Sequence, residues 1–510
     1  MSSEPPFRRI LVANRGEIAV RICRSLKEMG IEPVAVHSNI DQDAPHVLAA
    51  SKAHNLGGYD VSSSYLQVPQ LLDAGCINEC DAVHPGYGFL SEDPDFSRAL
   101  EAVGMQLIGP EPESMEILGS KQKAKKAAIA AEVPVIPGCT EDSGDDQQML
   151  AEACKIGFPI LIKASAGGGG KGMRLVEQEA DFLEELAACR RESQSAFHSR
   201  EMLLERYLKP ARHIEIQILG DSHGNIVALN ERECSIQRRH QKVVEEAPSP
   251  AVSPELRQRM SDAAIRLAKH VGYQNAGTVE FLLDHEDNFY FMEMNTRLQV
   301  EHPVTEMTTG LDLVQLQVLI AAGAALPDLL AGRSNSPRGH SIEVRVYAES
   351  PEQGYLPAAG RLTQVLEPSG PGIRVDSGVH EGCDVSVHFD PMLAKIIVHA
   401  PDRESACRKM SQALKDTVYL GIPTNVDFLA RVIDSPEFRA GQLSTSFLDE
   451  QPELAQGPSG SIPDIAYAAA ALCRSLSTHK HSGSQSSPST SNGSTELWDD
   501  RDNLRIWGPQ

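Results

Sequence analysis

Five side chains along one stretch carry the clearest chemistry. In Phe289-Tyr-Phe-Met-Glu-Met-Asn-Thr-Arg-Leu-Gln-Val-Glu301 the odd positions from 293 to 301 are Glu293, Asn295, Arg297, Gln299 and Glu301. The even positions, Met292, Met294, Thr296, Leu298 and Val300, suit a core. A strand sends alternate side chains to opposite faces, so this segment reads as a strand with one apolar and one wholly polar face. A solvated outer face is the ordinary origin of such a pattern. The segment before it argues for more. Gly277-Thr-Val-Glu-Phe-Leu-Leu-Asp284 reads as a second strand, joined through a four-residue loop, His285–Asn288. Pairing Asp284 with Phe289 sets Glu280 opposite Glu293. Facing like charges are destabilising unless a positive charge lies between them, and two carboxylates plus the Asn295 carbonyl are hard oxygen ligands suited to Mg2+ (or Mn2+). Glu280, Glu293 and Asn295 are therefore the expected metal ligands.

A second signal is the strand, glycine loop and strand in Phe158-Pro-Ile-Leu-Ile-Lys-Ala-Ser-Ala-Gly-Gly-Gly-Gly-Lys-Gly-Met-Arg-Leu-Val176. Consecutive glycines let backbone N–H groups approach phosphate oxygens unobstructed. Ser165 and Gly172 break the Walker A spacing, so a glycine hairpin folding over nucleotide phosphates fits better, with Lys163 and Lys121 supplying positive charge. A third signal is the basic cluster in Cys234-Ser-Ile-Gln-Arg-Arg-His-Gln-Lys-Val-Val-Glu-Glu246, next to Glu231 and Glu233. A charge run is usually a solvated face, but here it is the one local site for a polyanion. Cys234 is assigned to structure.

The elements that must position these residues follow from periodicity. Arg9–Asn14 reads as a buried strand, and apolar positions 18, 22, 26 and 29 recur at helical spacing until Gly30. Pro33–His37 reads as the next strand, and the alternation continues to about Pro110, as in a doubly wound parallel sheet. Asn14-Arg15-Gly16 is not G-x-G-x-x-G, and Gly86-Tyr87-Gly88 lacks the third glycine, which disfavours a nicotinamide enzyme. From Glu111 to Leu330, Ala- and Lys-rich helices such as Lys121–Ala131 alternate with strands such as Phe158–Ala164 and Thr278–Leu283. From Gly339 to about Leu448 short alternating strands are expected, with Ile342, Val344 and Val346 interleaved with Glu343, Arg345 and Tyr347. After Asp449 come an Ala-rich helix, Asp464–Leu476, a Ser-rich linker from Ser482 to Ser494 and a terminal piece, Glu496–Trp507, carrying both tryptophans.

Composition sets the class. The chain has 510 residues, 41% apolar and 23% charged, as in ordinary globular proteins. Lys+Arg 47 against Asp+Glu 70 gives a net charge of -23, the wrong sign for holding nucleic acid or anionic lipid over a broad surface. The start lacks the apolar core of a secretory signal, and the apolar run Leu316–Leu326 is short, so a cytoplasmic location and no membrane are expected. The ten cysteines are scattered and read as reduced core thiols.

Together these stretches resemble the biotin carboxylase component of biotin-dependent carboxylases, within the ATP-grasp enzymes. The likeness rests on His84-Pro-Gly-Tyr-Gly-Phe-Leu-Ser-Glu92, Lys163–Met173, Arg212-His-Ile-Glu-Ile-Gln217, Gln237-Arg-Arg-His-Gln-Lys242 and Glu293–His302, and runs from about Phe7 to Asp449. It implies an α/β and α+β chain with a Rossmann-like domain (1–116), an ATP-grasp domain (117–335, lid about 134–207), a β-rich C-terminal domain (336–449) and a tail (450–510). By the resemblance, Lys121, Lys163, Gly168 and Gly169 look like phosphate ligands. Glu205, Arg206 and Leu208 look like the adenine hinge, and His213, Gln237 and His240 like further nucleotide contacts. The metal ligands match Glu280, Glu293 and Asn295. Lys242, Arg297, Gln299, Val300 and Glu301 resemble the bicarbonate pocket, and Tyr87 with Arg345 the biotin end.

The implied activity is ATP- and bicarbonate-dependent carboxylation of biotin. Glu301 would be general base, Arg297 and Lys242 would hold the anion, and Arg345 would stabilise an enolate-like oxygen. The implied partners are a biotin carboxyl carrier protein and carboxyltransferase subunits, with a homodimer of this component. No Met-Lys-Met turn of the biotinylated kind occurs, since Lys409-Met410 follows Arg408. Asp390–Lys395 and the tryptophan tail lean toward an acyl-CoA carboxylase of acetyl or propionyl type. A pyruvate carboxylase subunit is the alternative. Arg297-x-Gln299-Val300-Glu301 and the block around Arg345 argue against an ATP-grasp ligase of the carbamoyl-phosphate or purine kind. The filled charged positions argue against a non-catalytic subunit. Glu496–Trp507 looks similar to the opening of the region that, in longer acyl-CoA carboxylase chains, links to transferase and carrier, and is expected to dock on a partner.

Overall fold

The structure, a computed structural model, describes residues 5–139, 142–165, 173–197, 199–239, 241–333, 336–457 and 464–481. At the N-terminus five parallel strands lie in the order Lys52–Asn55, Glu32–His37, Arg9–Val12, Ala82–His84 and Gln106–Leu107. Arg9–Val12 is buried along its whole length, as a strand covered on both faces must be. The helix Gly16–Glu28 buries Ile18, Ile22 and Leu26, and Gly30 follows with φ of 74°, a left-handed conformation that glycine adopts without strain. The strand order reverses beside Arg9–Val12 and Ala82–His84, so a crevice opens at their carboxyl ends. There Asn14 Nδ2 donates to the carbonyls of Pro85 (2.7 Å) and Tyr87 (2.8 Å), fixing the loop that carries Tyr87. A Cβ on Gly86 would lie 3.0 Å from that same Asn14 nitrogen, which is why the turn uses glycine.

The expected lid is a four-stranded antiparallel sheet, Gly138–Cys139, Met202–Arg206, Ile160–Ala164 and Met173–Val176, packed on helices Asp146–Ile156 and Phe182–Phe197. Lys163 pairs with Met173 across the hairpin, so the strands flanking the glycine loop form as expected. Gly168, Gly169 and the rest of that loop lie outside the described residues, as do His240 and the tryptophan tail.

The expected boundary at 335/336 is bridged by one sheet. Eight strands run in the order Phe289–Asn295, Asn275–Leu283, Arg212–Gly220, Ile226–Arg238, Gln241–Ala247, His340–Tyr347, Met392–Ala400 and Ile373–Ser377. Helix Pro254–His270 packs beneath Ile214, Ile216, Ile218, Val279 and Phe281. Helix Arg403–Lys415 packs beneath Ile342, Val344, Val346, Ile396 and Val398. The strand His340–Tyr347 departs from its expected alternation, because Glu343, Arg345 and Tyr347 are buried too. A second layer of protein covers the polar face, and helix His302–Thr309 is part of it.

Residues 1–457 form one compact unit and 458–510 a second, described here as helix Asp464–His481. The body thus runs past the expected end at Asp449: Leu454 accepts a hydrogen bond from Arg431 Nε at 2.7 Å. Cysteines 23, 80, 189, 234 and 407 are buried, but Cys76 and Cys154 are exposed, so the core-thiol expectation does not hold for those two. Among the described residues no helix is long and apolar enough to cross a membrane.

Candidate active site

The site is laid out by strand register. Arg232, Glu215, Glu280 and Glu293 occupy one row across four neighbouring strands, and Gln217, Thr278 and Asn295 occupy the next row across three. The expected opposition of Glu280 and Glu293 is therefore present, but by a different path. Leu283, not Asp284, pairs with Phe289, and a bulge between Glu280 and Phe281 on one side and Glu293 and Phe291 on the other restores the register. Asp284 is drawn off the ladder because its carboxylate accepts from the backbone N–H groups of Glu286 (2.8 Å) and Asn288 (2.9 Å), closing the turn. The extra residue also shifts the alternation, burying Phe289 and Phe291 on the core side. The strand ends at Asn295, not at Glu301: a turn follows, and helix His302–Thr309 begins with Glu301 at its N-cap.

Cations gather around this carboxylate row. Lys242 Nζ donates to Glu215 (2.5 Å), Glu280 (2.7 Å) and Glu301 (2.6 Å) at once. Its side chain is only 11% exposed. Burial alone would lower its pKa, but Glu215, Glu280 and Glu301 raise it well above the ordinary lysine value. Arg232 is fully buried, pairs with Glu215, and donates to Gln217 Oε1 at 2.8 Å and Thr305 Oγ1 at 2.9 Å. His213 Nε2 lies 3.0 Å from Glu280, and Gln237 Nε2 lies 2.6 Å from His213 Nδ1. Burial pushes the Glu280 carboxyl up, but Lys242 and His213 prevail and hold it far below the usual carboxylate range. Glu293 stands at the open lip, where loss of hydration and then Glu280 push its carboxyl up. Asn295 presents its amide nitrogen to Glu280 at 2.9 Å, so the carbonyl expected as a ligand faces away, 3.4 Å from Arg297.

Of the proposed nucleotide residues, Lys163, Glu205 and Arg206 lie on the four-stranded sheet and Lys121 on a helix. Lys121 opens helix Lys121–Ala130; burial lowers its pKa, with Glu293 opposing and the like charge of Lys163 adding to it. Lys163 Nζ donates to Glu205 at 2.5 Å, and Lys125 donates to the other oxygen at 3.1 Å. Glu205 thus anchors two cations through its side chain. Arg206 closes the same strand, and Leu208 follows it.

The turn after Asn295 carries the rest. Arg297 donates to Glu92 (3.1 Å) and Gln299 (2.9 Å), and Gln299 Nε2 reaches Glu280 at 3.2 Å. Glu301, 1% exposed, accepts from Lys242 and, through its second oxygen, from Arg345 at 3.0 Å. Burial raises its pKa, but Lys242, Arg345 and Arg232 outweigh this and hold it well below the usual range. Arg345 Nε also donates to Glu245 at 2.6 Å, so the residue expected at the biotin end touches the expected base as well. Val300 is fixed by its carbonyl, which accepts from Lys395 Nζ at 2.7 Å, and the Tyr87 ring centre lies 6.0 Å from that ammonium. The Tyr87 hydroxyl is buried and makes no hydrogen bond.

Of the expected set, His213, Gln237, Lys242, Glu280, Asn295, Arg297, Gln299, Glu301 and Arg345 are thus joined by direct polar contacts, whereas Lys163 meets Glu205 on the four-stranded sheet. Sequence reasoning passed over Glu92, Lys125, Glu215, Arg232, Glu245 and Lys395. Glu215 had a readable signal: His213, Glu215 and Gln217 alternate with Ile214, Ile216 and Ile218, the same pattern that exposed Glu293 and Asn295.

The chain matches three family descriptions in succession: "Biotin carboxylase, N-terminal domain" over residues 6–115, "Carbamoyl-phosphate synthase L chain, ATP binding domain" over 120–329 and "Biotin carboxylase C-terminal domain" over 343–450. It is 46% identical over 443 residues to the methylcrotonoyl-CoA carboxylase subunit alpha of Mus musculus, covering 87% of this chain and 62% of that one. The chain therefore spans about three fifths of that relative's length. It is 45% identical to the biotin carboxylase of a Nostoc strain, covering 87% of this chain and 99% of the relative. Among solved structures, the biotin carboxylase domain dimer of Hydrogenobacter thermophilus 2-oxoglutarate carboxylase, in complex with MgADP, ADP and bicarbonate, superposes with a TM-score of 0.84 at 40% identity, covering 89% of this chain and 99% of that one. On its three consecutive domains, its fold and its near-complete coverage of the Nostoc enzyme, this chain belongs to the biotin carboxylase family.

Proposed function

We propose that this protein carboxylates biotin borne on a separate carrier protein, using ATP and bicarbonate, as the biotin carboxylase component of an acyl-CoA carboxylase. The observation that carries the reading is Glu301: an ionised, buried carboxylate held by Lys242 on one oxygen and Arg345 on the other, one turn from Arg297 and Gln299. Bicarbonate must lose its proton to attack a phosphoryl group, and a carboxylate beside an ammonium and a guanidinium can accept it. The pairing that keeps Glu301 ionised also weakens it as a base. An arriving anion that draws Lys242 and Arg297 to itself loosens that pairing and restores basicity where the proton is to be taken. Transfer from ATP needs positioning and positive charge more than covalent help, and Lys121 and Lys163 would supply that charge. Arg345 then serves the deprotonated biotin ureido oxygen, with Tyr87 alongside.

The carboxylate row fits a divalent cation. Glu280 and Glu293 face each other across the ladder, and Glu293 is the carboxylate whose charge the present neighbours leave least compensated. Mg2+ held by these two, with Asn295 turned to present its oxygen, would neutralise phosphate charge. The magnesium nucleotide and bicarbonate in the Hydrogenobacter neighbour support these ligand classes. Relatives named as methylcrotonoyl-CoA and propionyl-CoA carboxylase subunits support an acyl-CoA acceptor, with a carboxyltransferase and a biotin carrier as partners and a dimer of this component.

The test is phosphate release with ATP, Mg2+, bicarbonate and free biotin, each omitted in turn. All four should be needed for full turnover. Turnover indifferent to biotin, or one that demands ammonia or glutamine, would replace this reading with another ATP-grasp reaction.

A further inference from the structure

Behind Arg345, away from the carboxylate row, lies a second pair of acids. Glu245 and Glu343 sit directly opposite each other on the antiparallel strands Gln241–Ala247 and His340–Tyr347. Both are fully buried at 0% exposure. Facing residues on such a pair bring their Cβ atoms to roughly 4.5–5.5 Å, within reach of a carboxyl–carboxyl hydrogen bond. Glu245 accepts from Arg345 with Oε1, while its Oε2 has no hydrogen-bond partner. Glu343 has none for either oxygen. On the other side of Glu343 its cross-strand neighbour is Ile397, which packs with Ala247 and Val304 in a small apolar cluster.

A buried carboxylate with no donor is among the costliest arrangements a fold can hold, and the usual resolution is that it keeps its proton. A protonated Glu343 has one O–H to donate, and the facing acceptor without a donor is Glu245 Oε2. The charged and titratable groups around it agree. Lys395 on the next strand and Arg345 on its own strand favour ionisation; Glu245 and Glu301 oppose it, and Lys395 is already bound to the Val300 carbonyl. Helix His302–Thr309 brings His302, which burial keeps neutral, and Glu306, which is paired with Arg21 and Arg374. Burial, the largest influence, pushes the Glu343 carboxyl well above its ordinary range.

We propose that Glu343 retains a proton at neutral pH and donates it to Glu245, a shared-proton pair that sets how strongly Arg345 is neutralised from behind. With Glu245 donating part of its charge to that hydrogen bond, Arg345 keeps the positive potential that an enolate-like biotin oxygen would need. Glu343 is thus a positioning residue acting through Glu245 and Arg345. The role for Arg345 rests on the biotin carboxylase reading; the proton on Glu343 does not.

The experiment has two arms. Infrared difference spectra at neutral pH between the full parent chain and its Glu343→Gln variant should contain the carbonyl stretch of a buried carboxylic acid, a comparison in which Glu17, common to both, cancels. In free-biotin carboxylation, Glu343→Ala should lower kcat by about tenfold or more, as for a lost charge-assisted hydrogen bond, with KM for ATP unchanged. Glu343→Gln, which keeps a neutral donor of the same shape, should recover most of that loss. Absence of the acid band, or Ala and Gln variants equally impaired, would overturn the proposal. A band that is present in a chain without biotin-dependent turnover would leave the shared proton standing and sink the biotin carboxylase reading instead.

Discussion

At the scale of single residues, the site is a balance of buried charges in which each partner's loss has a distinct signature. Glu301→Gln removes the proton acceptor while keeping the shape, and is expected to lower biotin-dependent kcat by roughly 10²- to 10⁴-fold. Steady-state kinetics with ATP affinity measured separately checks this; retention of more than a tenth of the activity would remove Glu301 from its role. Arg345→Ala strips both Glu245 and Glu301 of a donor, so it should abolish biotin carboxylation and cost about 3–5 kcal/mol of stability while nucleotide affinity persists. A large loss of ATP binding would place Arg345 elsewhere in the mechanism. Away from the carboxylate row, Glu17 is buried with no hydrogen bond to either oxygen and Lys395 at 3.5 Å as its ion-pair partner, and burial outweighs that lysine and pushes its carboxyl up to about 7. Because its folded pKa is raised, the stability it contributes is full below about 4.5, its unfolded value, and is lost as pH rises through about 7. Glu17→Gln should therefore gain about 3 kcal/mol relative to the parent chain between about pH 4.5 and pH 8. Denaturation curves at both ends of that range decide it, and parallel pH dependences would show that Glu17 is ionised in the fold.

At the scale of elements, two devices place the reacting groups. The bulged hairpin sets Glu280 against Glu293, and the strand Met392–Ala400 holds the turn after Asn295 through one lysine. Lys395 is fully buried, donates to the Val300 carbonyl at 2.7 Å and lies 3.5 Å from Glu17 and 3.9 Å from Asp376. It ties the first helix, the C-terminal strands and the Gln299–Glu301 turn to one point. Lys395→Met should leave two buried carboxylates short of a cation, at a cost of about 3–5 kcal/mol. It should also raise KM for bicarbonate while leaving KM for ATP nearly unchanged, because Lys163 and Glu205 belong to a different sheet and Lys121 to helix Lys121–Ala130. Equal increases in both constants would mean that the lysine supports the fold as a whole and not this turn.

At the scale of the whole molecule, the compact unit ends at Gly457, and the residues assigned to chemistry all precede it. Removing residues 479–510 is accordingly expected to leave free-biotin carboxylation unchanged but to weaken co-purification with carrier or transferase subunits. Pull-downs of the full and shortened chains test this, and undiminished assembly would deny the tail a docking role. The same experiment identifies the partner polypeptides and hence the acyl acceptor. A net charge of -23 makes the cation cluster of the cleft the favoured destination for anionic ligands, so their association should weaken as salt rises.

Much of what depends on neighbours along the chain was legible in the sequence. Period-2 alternation put Glu293 and Asn295 on one face, helical spacing gave Gly16–Glu28, and glycine placement marked the hairpin between Lys163 and Met173. It also brought Glu280 to Glu293, although by a register that the Asp284 turn shifted and a bulge then corrected. What it did not determine is which distant charges meet. Lys242 with Glu215, Arg345 with Glu245, and Lys395 with Val300 join residues 27, 100 and 95 positions apart. The neutral reading of Glu343 likewise depends on layers that the eight-stranded sheet brings over it. Local sequence fixes the direction of a side chain within its own strand. Whether its charge is solvated, paired or protonated is settled by what the tertiary fold packs against it, because desolvation and Coulomb energies act through space and not along the chain.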